Sequence, residues 1–196
     1  MNFDHWRHYV RGWLLHFFGR EDAAGRAFTK ALAFDPGDVK VARHLAGIAA
    51  ARTEWAVAAG WYRHVLEWVP EEAETWFNLG FVCERGGQPE AALTAFATAT
   101  RLQPALDRAW FGMGLAHAVQ AQHATAAEAF EQAVSLQPLN GEAYYQLGMA
   151  YQHAGQPDAV RRIVMRLADF EPQRARRLAQ DAGREDLVGL LPETPF

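Results

Sequence analysis

The sequence predicts an all-α protein built from five tandem helical hairpins, and three observations carry that reading. Proline recurs at Pro36, Pro70, Pro104, Pro138 and Pro172, every 34 residues without a slip. Small residues keep the same beat at Gly12, Ala46, Gly80, Gly114 and Gly148, and at Ala24, Ala58, Ala92, Ala126 and Val160. Larger residues keep it at Phe28, Tyr62, Phe96, Phe130 and Val164, followed by Ala31, Val65, Ala99, Ala133 and Leu167. Self-similarity at a fixed period of this length marks a stack of supersecondary units, each burying its apolar face on the next.

The third unit justifies its elements most plainly. Trp76, Leu79, Gly80 and Cys83 share one helical face, and Ala92, Phe96 and Ala99 share a face of a second helix. Between them, Gly86-Gly87-Gln88-Pro89-Glu90 reads as a helix stop followed by a start, since glycine ends a helix and proline suits the first turn of the next. Gly155-Gln156-Pro157-Asp158 repeats the device two units later. Gly80 and Ala92 are small enough to let the two backbones approach, with Trp76 and Phe96 filling the space around the crossing. The periodic proline cannot continue a helix interior, so it closes each unit.

Trp76-x2-Leu79-Gly80-x2-Cys83, then Ala92-x3-Phe96-x2-Ala99 and Pro104, resembles the tetratricopeptide repeat. Trp110, Met113, Gly114, Ala126, Phe130, Ala133 and Pro138 match again, as do Tyr144, Leu147, Gly148, Tyr151 and Pro172. The resemblance covers residues 5–174 in five repeats, 5–38, 39–72, 73–106, 107–140 and 141–174. It implies a right-handed α-solenoid in which first helices line a concave side and second helices the convex side. The chain departs from the pattern at Cys83 and His117, where the family has Tyr. It departs also at Ala42 and Ala46, in place of Trp and Gly, and at His8 and Arg11, in usually apolar places. The second repeat is therefore expected to pack less tightly and the first helix to be reoriented.

Beyond Pro172 the pattern is expected to give way to a C-terminal capping helix over 175–191. Ala175, Leu178, Ala179 and Ala182 would face inward, with Arg174, Arg176, Arg177 and Gln180 toward water. Residues 192–196 read as a loose tail.

Charge and composition exclude several classes. A formal net charge of −4 supplies no basic field for nucleic acid. The arginines between Arg161 and Arg184 alternate with Asp169, Glu171 and Asp181, which suits a solvated face. The single cysteine, Cys83, excludes an internal disulfide and every multi-cysteine metal site. Its register makes it a buried small hydrophobe. His5, His8 and His16 lie on the first helix without a carboxylate on the same face, so no metal and no cofactor is expected. No stretch is long and apolar enough to span a membrane, and Asp4, His5, Arg7, His8 and Arg11 break any leader pattern. A cytoplasmic location is expected. No phosphate loop, nucleophile elbow or staged carboxylate pair is present, so the reading is of a binding protein and not an enzyme.

Function must then come from a surface. A second stripe on each first helix starts one residue after the Trp position: Tyr9 and Trp13 in the first repeat, Arg43 and Gly47 in the second, Phe77, Phe81 and Glu84 in the third. It continues as Phe111 and Leu115 beside Arg108, and as Tyr145 and Met149. In the family this stripe faces the ligand. Here it is mostly aromatic and aliphatic, and an apolar track longer than packing needs marks a groove for a helical or extended segment with apolar anchors. Burial between neighbouring first helices is the competing reading, strongest for Leu115 and Met149. Family members that clamp a chaperone's C-terminal carboxylate use Lys, Arg and Asn along this stripe. Tyr9, Trp13, Gly47, Phe77 and Phe81 stand there instead, with Arg43 the lone cation, so that ligand is not expected.

Phe3, Trp6, Tyr9, Val10, Trp13, Leu14, Phe17 and Phe18 make the first helix apolar over a wider arc than one hairpin needs. Three occupants compete: the hairpin and groove end, a second copy through Trp6, Trp13 and Phe17, and a membrane surface. Packing is preferred. Membrane contact is least favoured, because Gly12, Gly19 and the register tie the helix to its hairpin. The runner-up function is a self-associating scaffold, one copy filling another's groove.

Overall fold

The computed structural model describes residues 3–191, and all the helices among them are arranged in two compact units, Met1–Leu102 and Gln103–Phe196. In the first unit α1 (Phe3–Phe17) pairs with α2 (Glu21–Phe34), α3 (Val39–Ala51) with α4 (Trp55–Trp68), and α5 (Ala73–Arg85) with α6 (Pro89–Leu102). Successive hairpins join where α2 meets α3 and α4 meets α5. In the second unit α7 (Asp107–Val119) pairs with α8 (His123–Leu136), and α9 (Gly141–His153) with α10 (Pro157–Ala168). There α8 meets α9, α11 (Pro172–Asp181) lies on both α9 and α10, and the short α12 (Glu185–Val188) follows. This is the hairpin-on-hairpin packing of an α-solenoid. The expected tail, 192–196, lies outside the described residues.

The recurring glycine makes room for a ring. A Cβ on Gly80 would stand 2.7 Å from Cδ1 and Cε1 of Phe96. The same clash, at 2.6 Å, would meet Gly12 against Phe28 and Gly114 against Phe130. Glycine and the phenylalanine sixteen residues later are therefore one device. In the fifth repeat the ring is replaced by the shorter Val164, and the space over Gly148 is filled by Leu178 of α11. Leu178 keeps the beat of Trp76, Trp110 and Tyr144, so the repetition runs one helix past Pro172.

The tryptophan and proline series are also coupled. The indole of Trp76 donates to the carbonyl of Pro70 at 2.7 Å, and that of Trp110 to Pro104 at 2.8 Å. Each bond ties the start of a first helix to the turn that delivers it. The turn inside each hairpin needs a left-handed residue: Gly19, Gly87 and Gly155 supply it, but so do Thr53 at φ 59° and Ala121 at φ 56°. The bond from the Gln88 amide to the Cys83 carbonyl closes the helix end in the usual six-residue loop, as Glu54 to Ala49 and Gln122 to His117 do. Ala42 and Ala46, which stand in place of tryptophan and glycine, are both fully buried.

The first helix corrects two expectations. Its hairpin contact is made by Gly12, Tyr9 and Leu15 against the cluster around Phe28, and His8 stacks on Phe34 at 5.9 Å. The aromatic stripe from Phe3 to Phe18 is not consumed by packing; Phe3, Trp6, Trp13, Leu14, Phe17 and Phe18 are all exposed. The reason is positional. Arg7, Arg11 and Leu14 correspond in register to Val41, Leu45 and Ile48, which are buried because α2 packs over them. Among the described helices α1 packs mainly on α2, which leaves that side open.

Candidate protein-binding surface

In the first unit the stripe divides into rings that belong to the core and rings that do not. Tyr9 is half-buried, 6.2 Å from both Phe28 and His44. Phe77 is half-buried, its ring 6.0 Å from that of Phe96, so it braces the same phenylalanine that seats over Gly80. Trp13 and Phe81 remain 47% and 46% exposed. Trp13 stacks on Phe17 at 5.8 Å, and Phe81 meets Trp55 edge-on at 6.4 Å, with the Arg85 guanidinium 5.6 Å over Trp55. Between Trp13 and Phe81 in register stands Gly47, which is exposed and where a Cβ would meet nothing within 4 Å.

The charged members of the stripe in this unit are partly spoken for. Arg43 donates at 2.6 Å to Glu72, a carboxylate that also accepts from the Thr75 hydroxyl. It ties α3 to the residue that precedes α5 and is held away from the role of a carboxylate clamp. Glu84 is half-buried. His44 lies flat on Phe28, centroids 4.8 Å apart, and burial lowers its pKa, with His16 adding to the fall and Asp38 opposing it. Cys83 is buried, and burial raises its thiol pKa while Arg63 pulls the other way, so no thiolate is prepared there.

In the second unit the stripe is more closed. Phe111 is half-buried at 5.6 Å from Phe130, and Leu115 and Met149 pack against the core as partly buried residues. Arg108 is exposed. Tyr145 is engaged by α11: its hydroxyl donates to Asp181 at 2.7 Å, and Arg177 lies 5.5 Å over its ring. The bond to Asp181 is the main cause of its raised pKa. Arg174 turns to Glu142 and Glu171 instead of to water. The result is a polar cleft of about 820 Å³ between α9 and α11, floored by Tyr145 and Phe170 and edged by Glu142, Glu171, Arg174 and Arg177. Arg177 keeps most of its side chain in water, as the sequence predicts, while Arg174 does not. The signal that would place Arg174 is Leu178, whose register makes α11 a first helix lying beside α9.

The structure also brings carboxylates to His5 that do not lie on its own helix face. They come from the α2–α3 turn: the ligand-type atoms of His5, Asp35 and Asp38 lie within 4.8 Å of one another. Nε2 of His5 is 3.0 Å from Oδ2 of Asp38, yet no aligned hydrogen bond joins them. The other Asp38 oxygen caps α3 through the amides of Lys40 and Val41.

Models of the tetratricopeptide repeat match residues 73–106, 107–138 and 129–162. No curated protein matches the sequence. Solved structures with the same fold include a MamA protein, 22% identical with 100% of each chain covered and a TM-score of 0.79. YrrB, a tetratricopeptide-repeat protein with an unusual peptide-binding site, is 20% identical over 90% of each chain, with a TM-score of 0.77. PilF of Pseudomonas aeruginosa is 19% identical, covering 95% of this chain and 88% of its own, with a TM-score of 0.71.

Proposed function

The chain belongs to the tetratricopeptide-repeat family, and on that premise we propose that it is a non-enzymatic scaffold or assembly factor that captures an apolar segment of a partner protein. The observation that carries this reading is the pair Trp13 and Phe81, each nearly half exposed on the ligand-facing stripe of the first unit with the bare backbone of Gly47 between them in register. Large aromatic side chains left in water, flanking a place where no side chain intrudes, suit an apolar anchor that enters over the glycine. Arg43 is already paired, so an acidic chain terminus finds little to hold it there. YrrB's peptide-binding site, on a scaffold of the same fold, supports the general class of ligand.

The test is affinity capture followed by titration of the recovered partner. Changing Trp13 and Phe81 together to Ser should weaken binding by roughly 30-fold or more, the effect of losing about 2 kcal/mol at an aromatic anchor. Val57→Ser, on the exposed side of the second helix α4, should leave it unchanged. Undiminished binding by the double variant, with its helical circular dichroism intact, would overturn the proposal.

A further inference from the structure

A second surface adjoins Trp13, whose ring stacks on Phe17 at 5.8 Å, and spreads over the outward side of α1. Phe3, Phe17 and Phe18 are 69%, 71% and 72% exposed, and Trp6 and Leu14 are exposed beside them. At 3.6 residues per turn Phe3, Trp6, Leu14 and Phe17 span about 80° of α1, with Phe18 just beyond its end. Arg7 and Arg11 run along one edge, and Arg20 joins them around a shallow cavity of about 710 Å³ whose apolar walls include Trp6, Val10, Leu14 and Phe18. Asp4, 3.3 Å from Arg7, is the single carboxylate among residues 3–20 against these three guanidinium groups, whereas the whole chain carries −4.

The register says what this side is not built for. In the second repeat the corresponding Val41 and Leu45 receive the preceding helix, and in the third Thr75 and Leu79 are buried likewise. Arginine at both places opposes the seating of another apolar helix, from a second copy or otherwise, because each guanidinium would be buried without a partner. A plane of anionic headgroups over hydrocarbon satisfies both halves of the surface: the rings enter the boundary while the arginines reach phosphate.

We propose that the outward face of α1 docks the protein on an anionic lipid bilayer, lying along the surface without crossing it. No helix among the described residues is long and apolar enough to cross one. The test is flotation of the full chain with vesicles of phosphatidylcholine alone or mixed with phosphatidylglycerol. The protein should float with the anionic vesicles only, and its tryptophan emission should shift to the blue. Removing one arginine, as Arg7→Gln or Arg11→Gln, should lower partitioning by about fivefold each. Trp6→Ser with Phe17→Ser should abolish it without changing helicity, since neither ring is part of the α1–α2 contact. Failure to float with either vesicle, or flotation indifferent to these substitutions, would refute the proposal. So would a dimer in light scattering that the Trp6/Phe17 variant dissolves while the native chain ignores lipid; that result would give the face to a second copy.

Discussion

Replacing Gly80 by Ala tests whether the 34-residue glycine series exists to seat a ring. Two effects oppose each other. Alanine in a helix interior is favoured over glycine by about 1 kcal/mol. Against that, the new Cβ would lie 2.7 Å from two carbons of Phe96, a buried ring that can shift only by disturbing Phe77 and the α5–α6 contact. Overpacking of this kind costs about 1–3 kcal/mol, so the net change should run from near zero to about 2 kcal/mol of destabilisation. Gly60 supplies the control: it is exposed in the middle of α4 and a Cβ there meets nothing within 4 Å. Gly60→Ala should stabilise by about 1 kcal/mol. Urea unfolding followed by helical circular dichroism reads both, with midpoints moving apart for Gly60→Ala and Gly80→Ala. Phe96→Leu combined with Gly80→Ala should cost less than the sum of the two single changes, because the shorter side chain relieves the contact. If Gly80→Ala raises the midpoint as much as Gly60→Ala does, the glycine is not there for the ring and the packing account fails.

Two further outcomes follow from local geometry. Thr53 holds φ 59° where the first, third and fifth repeats have glycine, so Thr53→Gly should stabilise by about 1 kcal/mol in the same unfolding assay; no gain would mean the turn carries no strain. Tyr151 is pushed up to about 12 from 10.0, chiefly by burial and then by its hydrogen bond to Glu131. A raised folded-state pKa means that this residue's contribution is complete below the unfolded value and is lost as the phenol ionises. Stability should therefore fall between pH 10 and about 12, and Tyr151→Phe should blunt that fall. An alkaline unfolding profile identical in the two proteins would remove Tyr151 as its cause.

Much of the fold could be read because helical periodicity and turn chemistry are local. Pro36 through Pro172, the Gly-Gly-Gln-Pro turn and the Trp–Gly–Ala–Phe spacing each state a backbone requirement that neighbouring residues do not override. What is less legible is how helices meet. Gly80 reads as small and Phe96 as filling the crossing, but that the ring seats directly over the glycine is set by the packing of α5 on α6. Leu178 carries the register of a further first helix beyond Pro172, and the seat of that helix beside α9 turns Arg174 to Glu142 and Glu171 while Arg177 stays largely in water. The site was legible as a stripe, not as a surface. Phe77 and Phe81 are four residues apart on one face, and nothing in their spacing tells that Phe77 rests on Phe96 while Phe81 stays open. The outward face of α1 was misjudged for a related reason: its stripe resembles a packing face, and only the absence of a covering helix among the described residues distinguishes the two.

The proposed ligand-facing stripe can be interrogated directly with a photoreactive side chain placed at Gly47, between Trp13 and Phe81 in register, and separately at Gly60 on α4; both positions accept a side chain without a clash. Illumination of the captured complex should join the partner to position 47 through an apolar segment and leave position 60 unlabelled. Equal labelling at both positions, or labelling at 60 alone, would contradict the account of a partner held over the first helices.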